Sequence, residues 1–268
     1  MFRAPSGWKL VATLGRGSCF DVAVVARGGE LAIAKRPSAA LQRWDAARAT
    51  VEREAWALSL TPHQRVPRLY EHAEDDAGPY VVQQLVRGAP LEPTSAGGAA
   101  LTLARGLVEV VRSLHAHEGR IVHGDLAPSN VLVTQQQEAF VIDFSAAGSE
   151  RGAPHRALGR GTVPFAAPEL CREETPPTQA TDRYSTALIV AQLVARRSLS
   201  EPGTHASRLS AIGERGHDLA ALRAAGLPRA VAGSLLEQLA FDPVARPLTL
   251  DGLARALDEW VDSGVPTS

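Results

Sequence analysis

Along the first third of the chain, apolar residues come in short runs broken by turn residues. Residues 8–14 read as a strand ending in a glycine-rich turn; residues 22–26 and 31–35 read as two more, separated by Gly28-Gly29. After Pro37 the period changes. Leu41, Trp44, Arg48, Val51, Ala55 and Leu58 recur at three- and four-residue steps, which predicts an amphipathic helix. Residues 80–86 predict a further strand and residues 87–93 a linker. Beyond it, Ala104, Leu107, Val108, Val111 and Leu114 share one helical face. Residues 131–134 and 139–142 read as a strand pair joined by polar 135–138, and later helices centre on 184–195, 233–240 and 250–260. No internal repeat is visible, and residues 202–226 carry the weakest pattern. This order predicts an α+β, two-lobed protein: a small antiparallel-sheet lobe with one helix over residues 1–86, and a larger, mainly helical lobe over 87–268.

Composition narrows the classes. The 268 residues are 45% hydrophobic and 21% charged, enough to bury a sizeable core. Twenty-eight basic and 29 acidic residues leave a net charge of −1, which gives no electrostatic reason to expect nucleic acid or an anionic membrane as partner. Two cysteines, Cys19 and Cys171, are too few for a disulfide scaffold. The first residues lack an apolar signal core, and no run approaches the roughly 20 apolar residues of a membrane span. The expectation is a cytoplasmic protein. Only two basic residues are lysines, Lys9 and Lys35. A chain that writes arginine nearly everywhere wrote lysine at 35, where a point charge and a planar fork are not interchangeable.

Several residues carry candidate chemistry. Gly15 and Gly17 lie between two expected strands, where they would let backbone N–H groups approach a phosphate; an ordinary hairpin turn reads the same way. Lys35 falls on the third strand and needs an anion, with Glu54 the natural partner and Glu52 the competing one. Residues 121–133 gather His123, Asp125 and Asn130 in a polar loop before an apolar strand. Thirteen residues after Asn130 comes Asp143, a carboxylate that is costly after a buried strand unless it finds donors or a cation. Asn130 and Asp143, at the mouths of paired strands, suit Mg²⁺, which takes few protein oxygens plus phosphates; loop capping is the simpler role for either alone.

Taken in order, these pieces resemble the protein kinase family: the Gly-rich loop, Ala-Ile-Ala-Lys35, a helix glutamate, His123-x-Asp125-x-x-x-x-Asn130 and Asp143-Phe144. Residues 161–169 are similar to the end of the family's activation segment, Asp182 to the aspartate of its central helix, and Arg246 to the late arginine that pairs with the Ala-Pro-Glu glutamate, here Glu169. The resemblance covers roughly residues 8–260. It implies an ATP-dependent serine/threonine kinase acting on a protein substrate, with room for a regulatory protein partner. Gly15, Gly17 and Val22 would cover the ATP phosphates, and Lys35, held by Glu54, would contact them. Adenine would lie against 83–86, including Gln84 and Val86. Asp125 would take the acceptor proton, and Asn130 and Asp143 would hold Mg²⁺. Thr162 resembles the serine/threonine branch, where this threonine hydrogen-bonds the catalytic aspartate.

Four positions depart from the family pattern. Phe20 replaces the third loop glycine, Gly124 the usual arginine, Ala127 the catalytic-loop lysine and Ser145 the glycine after Asp-Phe. Without an arginine at 124, activity should depend little on phosphorylation of the activation segment. The missing lysine predicts a slow enzyme, because one such contact is worth about 10²–10³ in rate. Arg156 or Arg160 would be the substitute cation. Two other readings stay open: a small-molecule phosphotransferase, whose loop resembles His123-Gly124-Asp125, and a non-catalytic kinase-like binding module. Cys19 reads as an inert loop residue, and His115 and His117, two apart on a helix, do not face one metal.

Overall fold

In the computed structural model, residues 2–16, 20–37, 45–61, 63–151, 162–172, 175–199 and 202–264 are described. The expected strands at 8–14, 22–26 and 31–35 are β1 (Lys9–Arg16), β2 (Phe20–Arg27) and β3 (Glu30–Pro37). Helix α1 (Asp45–Leu60) follows, then β4 (Leu69–Asp75) and β5 (Gly78–Gln84). Leu41 and Trp44 of the expected helix lie outside the described residues. The five strands form one antiparallel sheet in the order β1-β2-β3-β5-β4. Gly28 and Gly29 both take positive φ (58° and 87°), which lets a two-residue turn return the chain from Arg27 directly onto Glu30.

The register divides the sheet into two faces. Ala32 and Ala34 pack on Ala23, Val25, Tyr80 and Val82, and this outer cluster is closed by Phe2 and Trp8. Trp8 Nε1 donates to Glu71 Oε2 at 3.0 Å. Lys35 is on the other face, because it pairs with Val22 on one side and Val81 on the other, and Val81 belongs to the core shared with α1. β4, which the sequence pattern did not reveal, is an edge strand with polar Glu71, His72, Glu74 and Asp75, so its alternation is weak. The expected strand over 80–86 ends at Gln84.

The expected linker at 87–93 holds a short strand, β6 (Ala89–Pro90), and Leu91 N–H donates to Val131 C=O at 2.8 Å. It pairs with β8 (Val131–Val133), which pairs with β9 (Ala139–Val141). Between them in sequence come α2 (Ala100–Ala116) and β7 (Ile121–Val122), and β7 pairs with β10 (Gly148–Ser149). The helical part continues through α3 (Pro168–Cys171), α4 (Gln179–Ala195), α5 (His205–Arg215), α6 (Ala220–Arg223), α7 (Arg229–Gln238) and α8 (Asp251–Asp262). The weakly patterned 202–226 contains α5 and α6, of which α5 buries only Ile212 and Gly213. Helix α4 is buried almost all round, the signature of a central helix, and opens with a reciprocal Thr178–Thr181 capping box. Among the described residues no helix is long and apolar enough to cross a membrane.

One buried ion pair fixes the late segment. Arg246, 2% exposed, makes a two-pronged contact to Glu169 (2.7 and 2.8 Å) and also donates to the carbonyls of Ala180, Ala240 and Phe241. Its guanidinium lies 4.6 Å from the centre of the Tyr184 ring. Arg246→Met would strand the Glu169 carboxylate in the interior and is expected to destabilise by about 3–5 kcal/mol in urea unfolding. A loss under about 1 kcal/mol would contradict this reading of the pair.

Candidate active site

Lys35 projects from β3 toward two carboxylates from different parts of the chain. Its Nζ lies 2.7 Å from Glu54 Oε1 on α1 and 3.2 Å from Asp143 Oδ1 just after β9. Of the two glutamates open on sequence grounds, Glu54 is the partner. Burial alone would lower the Lys35 pKa, but Glu54 and Asp143 outweigh it and hold the ammonium above its ordinary range. Burial likewise lifts the Glu54 carboxyl against the pull of Lys35. Asp143 behaves differently. Burial would raise it, yet Lys35 and the Ser145 N–H, with His123 adding to the pull, hold its carboxyl below the ordinary 3.8.

A second set of contacts builds the polar loop. Asp182, buried on α4, accepts the backbone N–H groups of His123 (2.7 Å) and Gly124 (2.9 Å), and His115 Nε2 lies 3.1 Å from the same carboxylate. His123 spans two elements: Nε2 donates to Ile142 C=O at 3.0 Å, and Nδ1 accepts the Asp125 N–H at 3.3 Å. The ring therefore ties the loop to the strand end that carries Asp143. Asn130 Nδ2 donates to the backbone carbonyl (2.8 Å) and side chain (3.2 Å) of Asp125, and the Asn130 carbonyl accepts Ile142 N–H. Asn130 and Asp143 thus sit at one end of the β8–β9 hairpin, as their sequence positions predict.

Two sequence expectations change here. Thr162 does reach Asp125, but through its backbone N–H, which donates to Oδ1 at 2.7 Å, and not through its hydroxyl. Gln84 turns its side chain to the sheet face opposite Lys35, because it pairs with Ala32, and it accepts the Arg68 N–H at 3.3 Å. Gln83 is the neighbour that shares the Lys35 face. Val22 is directly opposite Lys35, and Gly15 pairs with Val22; open space lies where a Cβ on Gly15 would sit. Val86 follows the end of β5. Gly17, Cys19, Arg156 and Arg160 lie outside the described residues. His115 and His117 have separate partners, Asp182 and the Gly119 N–H.

Gly124 has a structural reason that sequence alone did not reveal. Its φ is +83°, and a Cβ there would come within 2.5 Å of the Ala146 carbonyl oxygen. An arginine cannot occupy this position without moving the turn that follows Asp143.

The donor chemistry fits magnesium. Asn130 spends its amide N–H on Asp125, which leaves Oδ1 as a free oxygen. Asp143 engages Lys35 and Ser145 through Oδ1, so Oδ2 is unbonded on a side chain 40% exposed. Two neutral-or-anionic oxygens with open surface suit a hard cation that completes its shell with phosphate and water.

A sheet-borne lysine clasped by a helix glutamate, facing a loop of Asp125 and Asn130 and a strand-end aspartate, defines a phosphotransferase-type site. Comparison with known proteins gives the family. The protein kinase domain model matches residues 8–225, and the chain belongs to the protein kinase family. It is similar to a probable serine/threonine-protein kinase of Streptomyces coelicolor, 29% identical over 71% of this chain and 30% of that protein. It is also similar to the serine/threonine-protein kinase PrkC of Bacillus subtilis, 29% identical over 54% of this chain and 23% of PrkC. A probable kinase PknB of Bifidobacterium longum is 24% identical over 97% of this chain and 40% of its own length. The chain therefore spans less than a third of the first two relatives.

Folding lowers the Asp143 carboxyl, so the fold favours its ionised form. That contribution is complete above the ordinary 3.8 and is lost as the pH falls through the depressed value. The stability gap between wild type and Asp143→Asn is expected to hold steady above about pH 5 and to narrow as the pH falls below it in denaturant titrations; a gap that stays constant down to about pH 2 contradicts it.

Proposed function

We propose that this chain is an ATP-dependent serine/threonine protein kinase that transfers the γ-phosphoryl group to a hydroxyl of a protein substrate, with residues 1–86 and 87–268 closing on the nucleotide as two lobes. The observation that carries the reading is the Lys35 ammonium held between Glu54 and Asp143. A lysine fixed by one carboxylate keeps its remaining N–H groups directed and charged, ready for the α- and β-phosphate oxygens. Gly15 and Val22 form part of the roof, and the backbone after β5 receives the base. Asp125 orients the acceptor hydroxyl and takes its proton; Asn130 and the Thr162 N–H, each donating to one oxygen of the Asp125 carboxylate, hold its orientation. Asn130 Oδ1 and Asp143 Oδ2 would hold magnesium, which supplies charge neutralisation of the phosphate oxygens when bound. The serine/threonine assignment rests on the names of the relatives and on the resemblance of residues 161–169 to the serine/threonine branch, since Thr162 meets Asp125 through a backbone N–H that any residue but proline could supply.

Ala127 removes one cation from the transition state, so turnover is slow by about 10²–10³ against an enzyme that has the lysine. Lys35→Ala and Asp143→Asn are each expected to lower transfer of label from γ-labelled ATP to a generic protein substrate by at least about 10²-fold. Mg·ATP should also raise the melting temperature of the wild type. Stabilisation without transfer would replace this reading with a nucleotide-binding module, and transfer to small alcohols alone with a small-molecule phosphotransferase.

Activity is also independent of activation-segment phosphorylation. The nearest hydroxyls of the segment, Ser149 and Thr162, lie at the two ends of residues 150–161, which contain none, and Gly124 leaves no room for the arginine that would receive a phosphate on either. Phosphatase treatment is expected to leave the rate within about twofold, since no charge-assisted contact is removed. A tenfold or greater drop would refute this.

A further inference from the structure

A buried cation that the chemistry above leaves unused is Arg53, which is 1% exposed. It precedes Glu54 on α1; Glu54 is joined to Asp143 through Lys35, and Arg53 reaches the short 3-10 turn that Asp143 heads, Phe144–Ala146. Arg53 Nε donates to the backbone carbonyl of Ser145 at 3.1 Å. The other arm of the guanidinium is steadied by Thr50, whose Oγ1 accepts from Nη2 at 2.8 Å. Gly124 also lies against the Ala146 carbonyl, so closely that a Cβ would come within 2.5 Å of its oxygen. Asp143, at the head of this turn, has a left-handed backbone with φ of 64°. A non-glycine residue keeps that conformation only when its surroundings over-determine it.

We propose that Arg53 is a positioning residue that fastens the turn carrying Asp143 to helix α1, so that this carboxylate stays in place for magnesium without help from a phosphorylated segment. The role of Asp143 belongs to the kinase reading above; the clamp itself is a property of the nucleotide-free protein. Burying a guanidinium is costly unless its donors are used, and apolar packing between α1 and the turn would not need one. What the guanidinium adds is direction: a planar fork presents Nε to the Ser145 carbonyl and Nη2 to the Thr50 hydroxyl in fixed relative directions, which a single ammonium nitrogen on a flexible stem does not.

The test is hydrogen exchange on the protein without nucleotide or metal, for wild type, Arg53→Met and Arg53→Lys. In Arg53→Met the amides of residues 144–147 should exchange about tenfold or more faster, while those of α4 keep their wild-type rates. Arg53→Lys, which keeps the buried charge but loses the fork, should show the same local effect at about threefold or more, and it decides the matter if Arg53→Met does not fold. In transfer assays kcat should fall about tenfold with KM for ATP within about threefold of wild type, and the Mg²⁺ concentration for half-maximal rate should rise about tenfold. Wild-type exchange at 144–147 in folded Arg53→Lys overturns the proposal, as does faster exchange spread evenly over α4. If wild-type protein gains no thermal stability from Mg·ATP, the kinase reading fails and the exchange result still judges the clamp.

Discussion

The structure depends on one buried ammonium held by two acids. Lys35 brings together a strand of the sheet, a helix and the end of a hairpin in the helical part, and none of the three could bury its charge alone. Desolvation opposes each member of the trio; only their mutual attraction makes the arrangement tolerable. The register of the sheet follows this demand. Val22 and Val81 flank Lys35 on the inner face, and the outer face is given over to alanines covered by Phe2 and Trp8.

A second carboxylate plays the same part for the loop opposite. Asp182 lies on a helix that is buried along its length, so its position is set by packing, and it accepts two consecutive backbone N–H groups of the His123–Gly124 stretch. His123 passes that constraint on to Ile142, one residue before Asp143. The loop bearing Asp125 and the strand end bearing Asp143 are therefore braced through the backbone as well as through the Asn130–Asp125 and Lys35–Asp143 side-chain contacts. Such bracing is rigid, which suits a reaction whose catalysis is positioning and charge neutralisation.

One departure from the family pattern has its reason in the fold: Gly124 makes room for the Ala146 carbonyl, on the same turn whose Ser145 carbonyl accepts from Arg53.

Sequence alone determined the elements with strong periodicity and the residues whose chemistry forbids a casual role. The first three strands, the helix bearing Glu54, the β8–β9 pair and the late helices were legible because burial on one face imposes a period. Lys35, Asp125, Asn130 and Asp143 were legible because charged and amide groups next to apolar strands need partners. What stayed hidden depends on geometry that no local pattern encodes. The edge strand β4 and the helices within 202–226 bury too little to show a period. The choice of Glu54 over Glu52 depended on which side of α1 faces the sheet. Thr162 meeting Asp125 through its backbone, Gln84 turning outward and Arg53 gripping a carbonyl are all contacts between distant segments. Backbone donors and acceptors are the same in every residue, so a sequence cannot say which of them will meet; only the packed chain decides.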